Sequence, residues 1–287
     1  MSTINAIPRL GLSSSAVLFE LSISVWTGAK LDKQTSSEVD ANKHTLTRAG
    51  NYTKQLFAGC NELYSITKYV ANVRNWVKRN TLPWSFNGPV LLPTAKLIDF
   101  DPEIKNYQAR FNQMVDDFVL VYPTLIQAAS MNLGALFDPE DYPHVDLVKD
   151  KFGMYYQYAP LPESGDFRVD IGNEEVQYLR QQYEQSLIER EQQVAKENWS
   201  RLHTELSRLI NQLREGGRIH ESTFSGLKDL CQLLDAFNIT QDQQLDQARK
   251  DILNILNCTD TKELKKDEAV RVGVREELND ILSKFSF

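Results

Sequence analysis

AVLFELSISVW, residues 16–26, is the stretch that makes this chain α+β and not all-helical. Val17, Phe19, Leu21, Ile23 and Val25 alternate with Leu18, Glu20, Ser22 and Ser24, and a period of two marks a strand with one buried face. Gly28 is expected to end it. A second alternating run, Phe152, Met154, Tyr156 and Tyr158, leads through a loop from Pro160 to Gly165 into Phe167, Val169 and Ile171. Two such runs joined by a Pro- and Gly-containing loop read as a hairpin. Isolated hairpins are marginal, so the first strand is expected to join it in a small antiparallel sheet of about three strands.

Outward from these strands the spacing turns helical. From about Ser37 to Arg79, the residues Ala49, Tyr52, Leu56, Cys60, Leu63, Ile66, Val70, Val73 and Val77 recur at intervals of three and four. This predicts a helical insert, although Gly50 and Gly59 each cost it about 1 kcal/mol relative to alanine. Residues 81–102 carry Pro83, Pro89, Pro93 and Pro102 and are read as an ordered loop. Ile104, Tyr107, Phe111, Val115 and Phe118 form the next helical stripe, which Pro123 is expected to break or restart.

After Gly172 a run from 173 to 215 has neither Pro nor Gly, with Asn173 as its expected N-cap and Gly216-Gly217 as its stop. Three shorter helices follow: one marked by Phe224, Leu227, Leu230 and Leu234, and two opened by the capping pairs Thr240/Gln243 and Asp260/Glu263. The last carries Leu278, Ile281, Leu282 and Phe285. The expected organisation is a flexible N-terminus over 1–15, an α+β domain with a helical insert over 16–172, and a helical region over 173–287. The fold class is α+β, predominantly helical.

With 287 residues, 41% hydrophobic and 25% charged, the chain has ample material for one large domain or two modest ones. Its net charge of −7 excludes both a polycationic nucleic-acid coat and an acidic tail. Residues 1–15 lack the basic start and apolar run of a signal peptide. Ala16 to Trp26 is too short for a bilayer, which needs about 20 residues, and no later segment is expected to reach that length without charge. A cytoplasmic protein with no membrane association is the expectation. Cys60, Cys231 and Cys258 show no CxxC spacing, and each is read as a small buried hydrophobe in a reducing compartment.

Chemistry-bearing motifs are sparse. There is no phosphate-cradling GxxxxGK[ST] or GxGxxG, and His44, His144, His203 and His220 do not pair at metal-ligand spacing. Ser65-Ile-Thr-Lys68 matches S-x-x-K only as a four-residue pattern that chance supplies. Asp99, Asp101, Glu103 and Lys105 resemble a metal-nuclease cluster, but Asp101-Pro102-Glu103 reads better as a helix start, as does Asp138-Pro139-Glu140. No catalytic residue, metal set or cofactor is expected, and the chain is read as not an enzyme.

Two surfaces invite partners. Residues 28–79 hold nine basic and four acidic groups, a local +5 against −12 for residues 80–287. If the insert is one helix, Lys43, Lys54, Lys68 and Arg79 fall within about 40° of one another, opposite the apolar set. Tyr69 and Trp76 would flank this stripe and stack on unpaired bases. The alternatives for those charges are a solvated face, an acidic protein partner, or neutralisation inside the subunit. Leu202, Leu206, Leu209 and Leu213 form a coiled-coil-like stripe, which either packs on the C-terminal helices or serves a homo-oligomer or another protein's helix.

LSISVWTGAKLDK (21–33), TRAGNY (47–52), Leu82-Pro83-Trp84 and Gly165-Asp166-Phe167-Arg168 resemble an uncharacterised family of phage and integrative-element proteins, a domain of unknown function. Such genes are often found near a MoxR-type AAA+ ATPase, a von Willebrand A-type protein and DNA-recombination genes. The resemblance implies a mobile-element origin and a partner in the host cytoplasm, and it implies no catalytic residue. The expectation is a non-enzymatic phage-encoded interaction or assembly factor, an accessory partner of an AAA+ ATPase. The alternative is a single-stranded nucleic-acid binding or annealing protein of phage replication that uses the basic stripe.

Overall fold

The computed structural model describes residues 12–162, 173–214 and 219–284. Its elements run α1 (Leu12–Ser15), β1 (Ala16–Ser24), β2 (Ala29–Asp32), α2 (Lys33–Asn42), β3 (Tyr52–Gln55), α3 (Glu62–Asn80), β4 (Val90–Pro93) and α4 (Thr94–Leu133). They continue with α5 (Val145–Val148), β5 (Gly153–Ala159), α6 (Asn173–Gln212), α7 (Glu221–Phe237), α8 (Gln243–Cys258), α9 (Thr261–Lys266) and α10 (Glu268–Lys284). The fold is α+β and mostly helical, with a small antiparallel three-stranded sheet and a helical C-terminal half.

β1 is the central strand, in the order β4-β1-β5. Glu20, Ser22 and Ser24 face out while Phe19 is buried, so the alternation seen in the sequence is the pleat of a half-buried strand. β4 runs antiparallel to it, pairing Ala16 with Pro93 and Phe19 with Val90. This strand lies inside the proline-rich segment read as a loop, which is a correction. Four apolar residues ending in Pro93 suffice for an edge strand, where the missing N–H faces no partner. On the other side, Phe19 meets Tyr158 with ring centroids 5.4 Å apart. The expected hairpin partner, Phe167 to Ile171, lies outside the described residues.

The helical insert also needs correction. Residues 29–32 and 52–55 form a separate two-stranded antiparallel hairpin around α2, and only Glu62–Asn80 is a long helix. Within that helix the stripe Leu63, Ile66, Val70, Val73 and Val77 is buried as the spacing predicts. α4 then runs for 40 residues straight through Pro102 and Pro123. Asp101-Pro102-Glu103 is therefore no helix start. Both prolines sit on the exposed side, so the carbonyl each leaves without a donor is within reach of solvent, while the buried side holds the helix together.

Contacts divide the chain into two units: Met1–Glu20, Asn80–Ile98 and Tyr158–Phe287 make one, and Leu21–Arg79 with Asp99–Gln157 make the other. The division interleaves along the chain. In the first unit, α6 packs with α7 and α10, and α7 with α8, around one apolar core. Asn198, fully buried on α6, donates from Nδ2 to the Phe237 carbonyl at 2.9 Å, closing the end of α7. Its neighbour Trp199 donates from Nε1 to Asp242 at 2.8 Å, and Asp242 caps α8 by accepting from the Gln244 and Leu245 amides. The cap is thus Asp242, not Thr240; Asp260 caps only the six-residue α9, and the last helix, expected to run on from it, starts separately as α10, where the Ala269 amide donates to Asp267 at 2.8 Å. In the second unit Phe57 is a hub, edge-on to Trp26, Phe118 and Tyr142 at 5.3, 5.7 and 5.7 Å.

Candidate interaction surface

The six residues of the supposed basic stripe are distributed over three elements. Lys43 caps the end of α2 and is exposed. Lys68 and Arg79 are exposed on α3. Tyr69 and Trp76 turn the other way, onto α4: the Tyr69 hydroxyl donates to the Tyr107 carbonyl at 3.1 Å, and Trp76 stacks on Phe100 with centroids 4.6 Å apart. Rings engaged in this way are part of the packing and are not a stacking platform for bases.

Lys54 departs furthest from the expectation. It lies on β3, directly opposite Lys30 on β2, and is only 7% exposed. Like charges facing each other across a strand pair are unfavourable. Asp141 resolves the conflict by pairing with both: its Oδ1 meets the Lys30 ammonium and its Oδ2 lies 2.6 Å from Lys54 Nζ. Lys54 also donates to the Leu136 carbonyl at 2.8 Å and lies 3.6 Å from Asp32. Burial pushes the Asp141 carboxyl up, but Lys30 and Lys54 together outweigh it and hold it below the ordinary carboxylate range. Burial likewise works against the Lys54 charge, and Asp141 with Asp32 reverses that and holds its pKa above the usual value. Four charges sum to zero here, so the cluster is an internal clamp between the hairpin and the turn after α4.

Hydrogen bonds extend the clamp. Tyr142 donates to the Leu56 carbonyl at 2.7 Å and Tyr122 to the Pro143 carbonyl at 2.9 Å. Burial is the main reason both phenols are pushed up to about 12, so they remain donors at neutral pH.

Leu202, Leu206, Leu209 and Leu213 are all buried, at most 2% exposed, within the core that α6 shares with α7, α8 and α10. They are not an interaction surface. Of the nuclease-like residues, Asp101 takes the Lys105 ammonium at 2.6 Å one helical turn away, and among the described residues no cluster of His, Cys, Asp and Glu could hold a metal. Cys231 is buried as expected, whereas Cys60 is half-buried and Cys258 exposed.

The surface that the sequence reading missed is on α4. Residues 118–137 contain no charged side chain, contrary to the expectation that no later segment reaches such a length. Within Thr94–Leu136 the most apolar window is only 17% buried, and by length and composition alone the helix qualifies as a membrane span. One side of α4 is committed to the unit's aromatic core through Phe118, Tyr122, Leu125 and Ala129. The opposite side presents Leu120, 80% exposed, and Met131, 83% exposed, with Val121, Pro123, Thr124, Gln127 and Ala135 around them. The signal that could have found it was the gap between charges at Asp117 and Asp138.

A groove of about 1030 Å³ runs beside α6 and α10, lined by Trp199, His203, Asp242, Asn279 and Leu282 among others. No family model, curated protein or solved structure matches the chain.

Proposed function

We propose that this protein is a non-enzymatic interaction or assembly factor that engages its partner through the outward face of α4. The observation that supports this reading is an uncharged run of twenty residues, sixteen of them on α4, that leaves Leu120 and Met131 in water. Exposed apolar patches on a folded unit mark interaction sites, and Leu120 and Met131 lie within about 20° of each other on this face, three turns apart. The partner's class, an AAA+ ATPase of the MoxR type in a phage or integrative-element setting, rests on the resemblance of residues 21–33, 47–52, 82–84 and 165–168; the last of these lie outside the described residues. The nucleic-acid alternative retains only Lys43, Lys68 and Arg79 of its six residues as exposed groups. The test is to mix the purified chain with a MoxR-type ATPase from the same genome. Co-elution and a changed rate of ATP hydrolysis are expected, both lost in Leu120→Glu. An unchanged rate with separate elution overturns the assignment of the partner.

A further inference from the structure

We infer that the α4 face between Leu120 and Ala135 receives an amphipathic helix of a partner protein whose apolar stripe is bounded at both ends by lysine or arginine. This deepens the reading of α4 as the partner-binding face and rests on it. The charge pattern around the patch selects the occupant. Turning 100° per residue, Asp116 and Asp117 lie about 40° to one side and about 60° to the other of the Leu120 direction, one turn before it. Both are exposed, and Asp116 is only partly compensated by Lys149 at 2.5 Å, a pair with both side chains more than half exposed. At the far end Asp138 and Glu140 are exposed just beyond the helix. No lysine or arginine lies between residues 111 and 148. The patch is therefore an uncharged strip about 22 Å long, with Leu120 and Met131 as its large apolar side chains and acid beyond each end.

That pattern argues against the two other occupants. An interfacial helix that lies on a lipid surface carries Lys and Arg on its polar side, and here acid would face anionic headgroups. A second copy meets like charge in either direction. Parallel pairing sets Asp117 against Asp117. Antiparallel pairing that places Leu120 on the other copy's Met131 brings Asp117 to the other copy's Gly134, four residues before Asp138, at both ends. A helix with basic ends instead gains Coulomb attraction at both ends while its apolar stripe covers Leu120 and Met131. Thr124 and Ala128 at the middle leave room for close approach.

The experiment uses the full chain and two synthetic helical peptides that share one Leu/Ala stripe, one ended by lysines and the other by glutamates, with affinity read by fluorescence anisotropy. The lysine-ended peptide is expected to bind at least about tenfold tighter, with the difference shrinking as salt rises. Leu120→Glu should weaken it by about tenfold or more with an unchanged melting curve, and Asp117→Lys with Asp138→Lys should invert the preference. Equal affinity for both peptides overturns the proposal. So do binding indifferent to Leu120→Glu, concentration-dependent dimers abolished by Leu120→Glu, and co-sedimentation with phosphatidylglycerol vesicles. If the peptides show no preference but Leu120→Glu still releases the ATPase, the charge rule fails and the α4 reading stands; if neither responds to the substitution, both fail.

Discussion

At position 54 an ammonium group sits 7% exposed between Asp141, Asp32 and the Leu136 carbonyl, facing another lysine across the hairpin. Its shortest ion pair is with Asp141, which comes from 87 positions away. Asp141→Ala would leave Lys30 and Lys54 opposed with no shared anion. Removing one partner of a buried ion pair is strongly destabilising, and a loss of about 3 kcal/mol in urea unfolding is expected. The pH dependence has a definite sign. Because the folded Asp141 pKa is depressed, its contribution is fully present above the unfolded carboxylate value near 3.9. It is lost as pH falls through the lower folded value. Wild-type stability should therefore drop below about pH 4, and the drop should be smaller in Asp141→Ala. Gly28, expected to end the first strand, lies instead in the connection between β1, which ends at Ser24, and β2. Its φ is +59°, and a Cβ there would lie 2.4 Å from Leu63 Cδ2. Gly28→Ala should cost about 2 kcal/mol, seen as a lower unfolding midpoint.

Elements were legible wherever one local periodicity ran without a competitor. The buried residues of α3 from Leu63 to Val77 are the ones its spacing predicts, and α6 ends at Gln212, four residues before the Gly-Gly stop. Residues 49–60 failed because a three-four spacing over a dozen residues containing Gly50 and Gly59 is also met by a short strand and its turns. The strand wins by pairing with β2, a contact no local window contains. β4 was missed for the same reason: four residues next to prolines carry no periodicity, and only β1 makes them a strand. The leucine stripe of α6 was visible, and its destination was not. Leu206→Ala is expected to cost about 3 kcal/mol through cavity formation while light scattering reports an unchanged mass. A changed mass with little loss of stability would return the stripe to an intermolecular role.

For the molecule as a whole, the +5 of residues 28–79 does not stand alone. The unit formed by Leu21–Arg79 and Asp99–Gln157 contains 13 basic and 14 acidic residues, a formal net of −1. Residues 99–157 supply ten of those acids, and Asp141 is the one that reaches into the basic hairpin. A unit neutralised in this way has little counterion release to gain from a phosphate backbone. Adding a short single-stranded oligonucleotide at low salt is expected to leave the scattering mass unchanged; a mass that grows with added strand and falls back as salt rises would restore the nucleic-acid reading. By itself the sequence determined the class of each long element, the strand at 16–24 and the Asp260 cap, because each of these follows from spacing or capping chemistry within a few residues. Which charges are spent internally, which apolar stripe is core and which helix face is left in water were decided only by tertiary structure. Those outcomes depend on what lies opposite in space: Asp141 opposite two lysines, α10 and α7 against the leucines of α6, and no described residue over Leu120 and Met131.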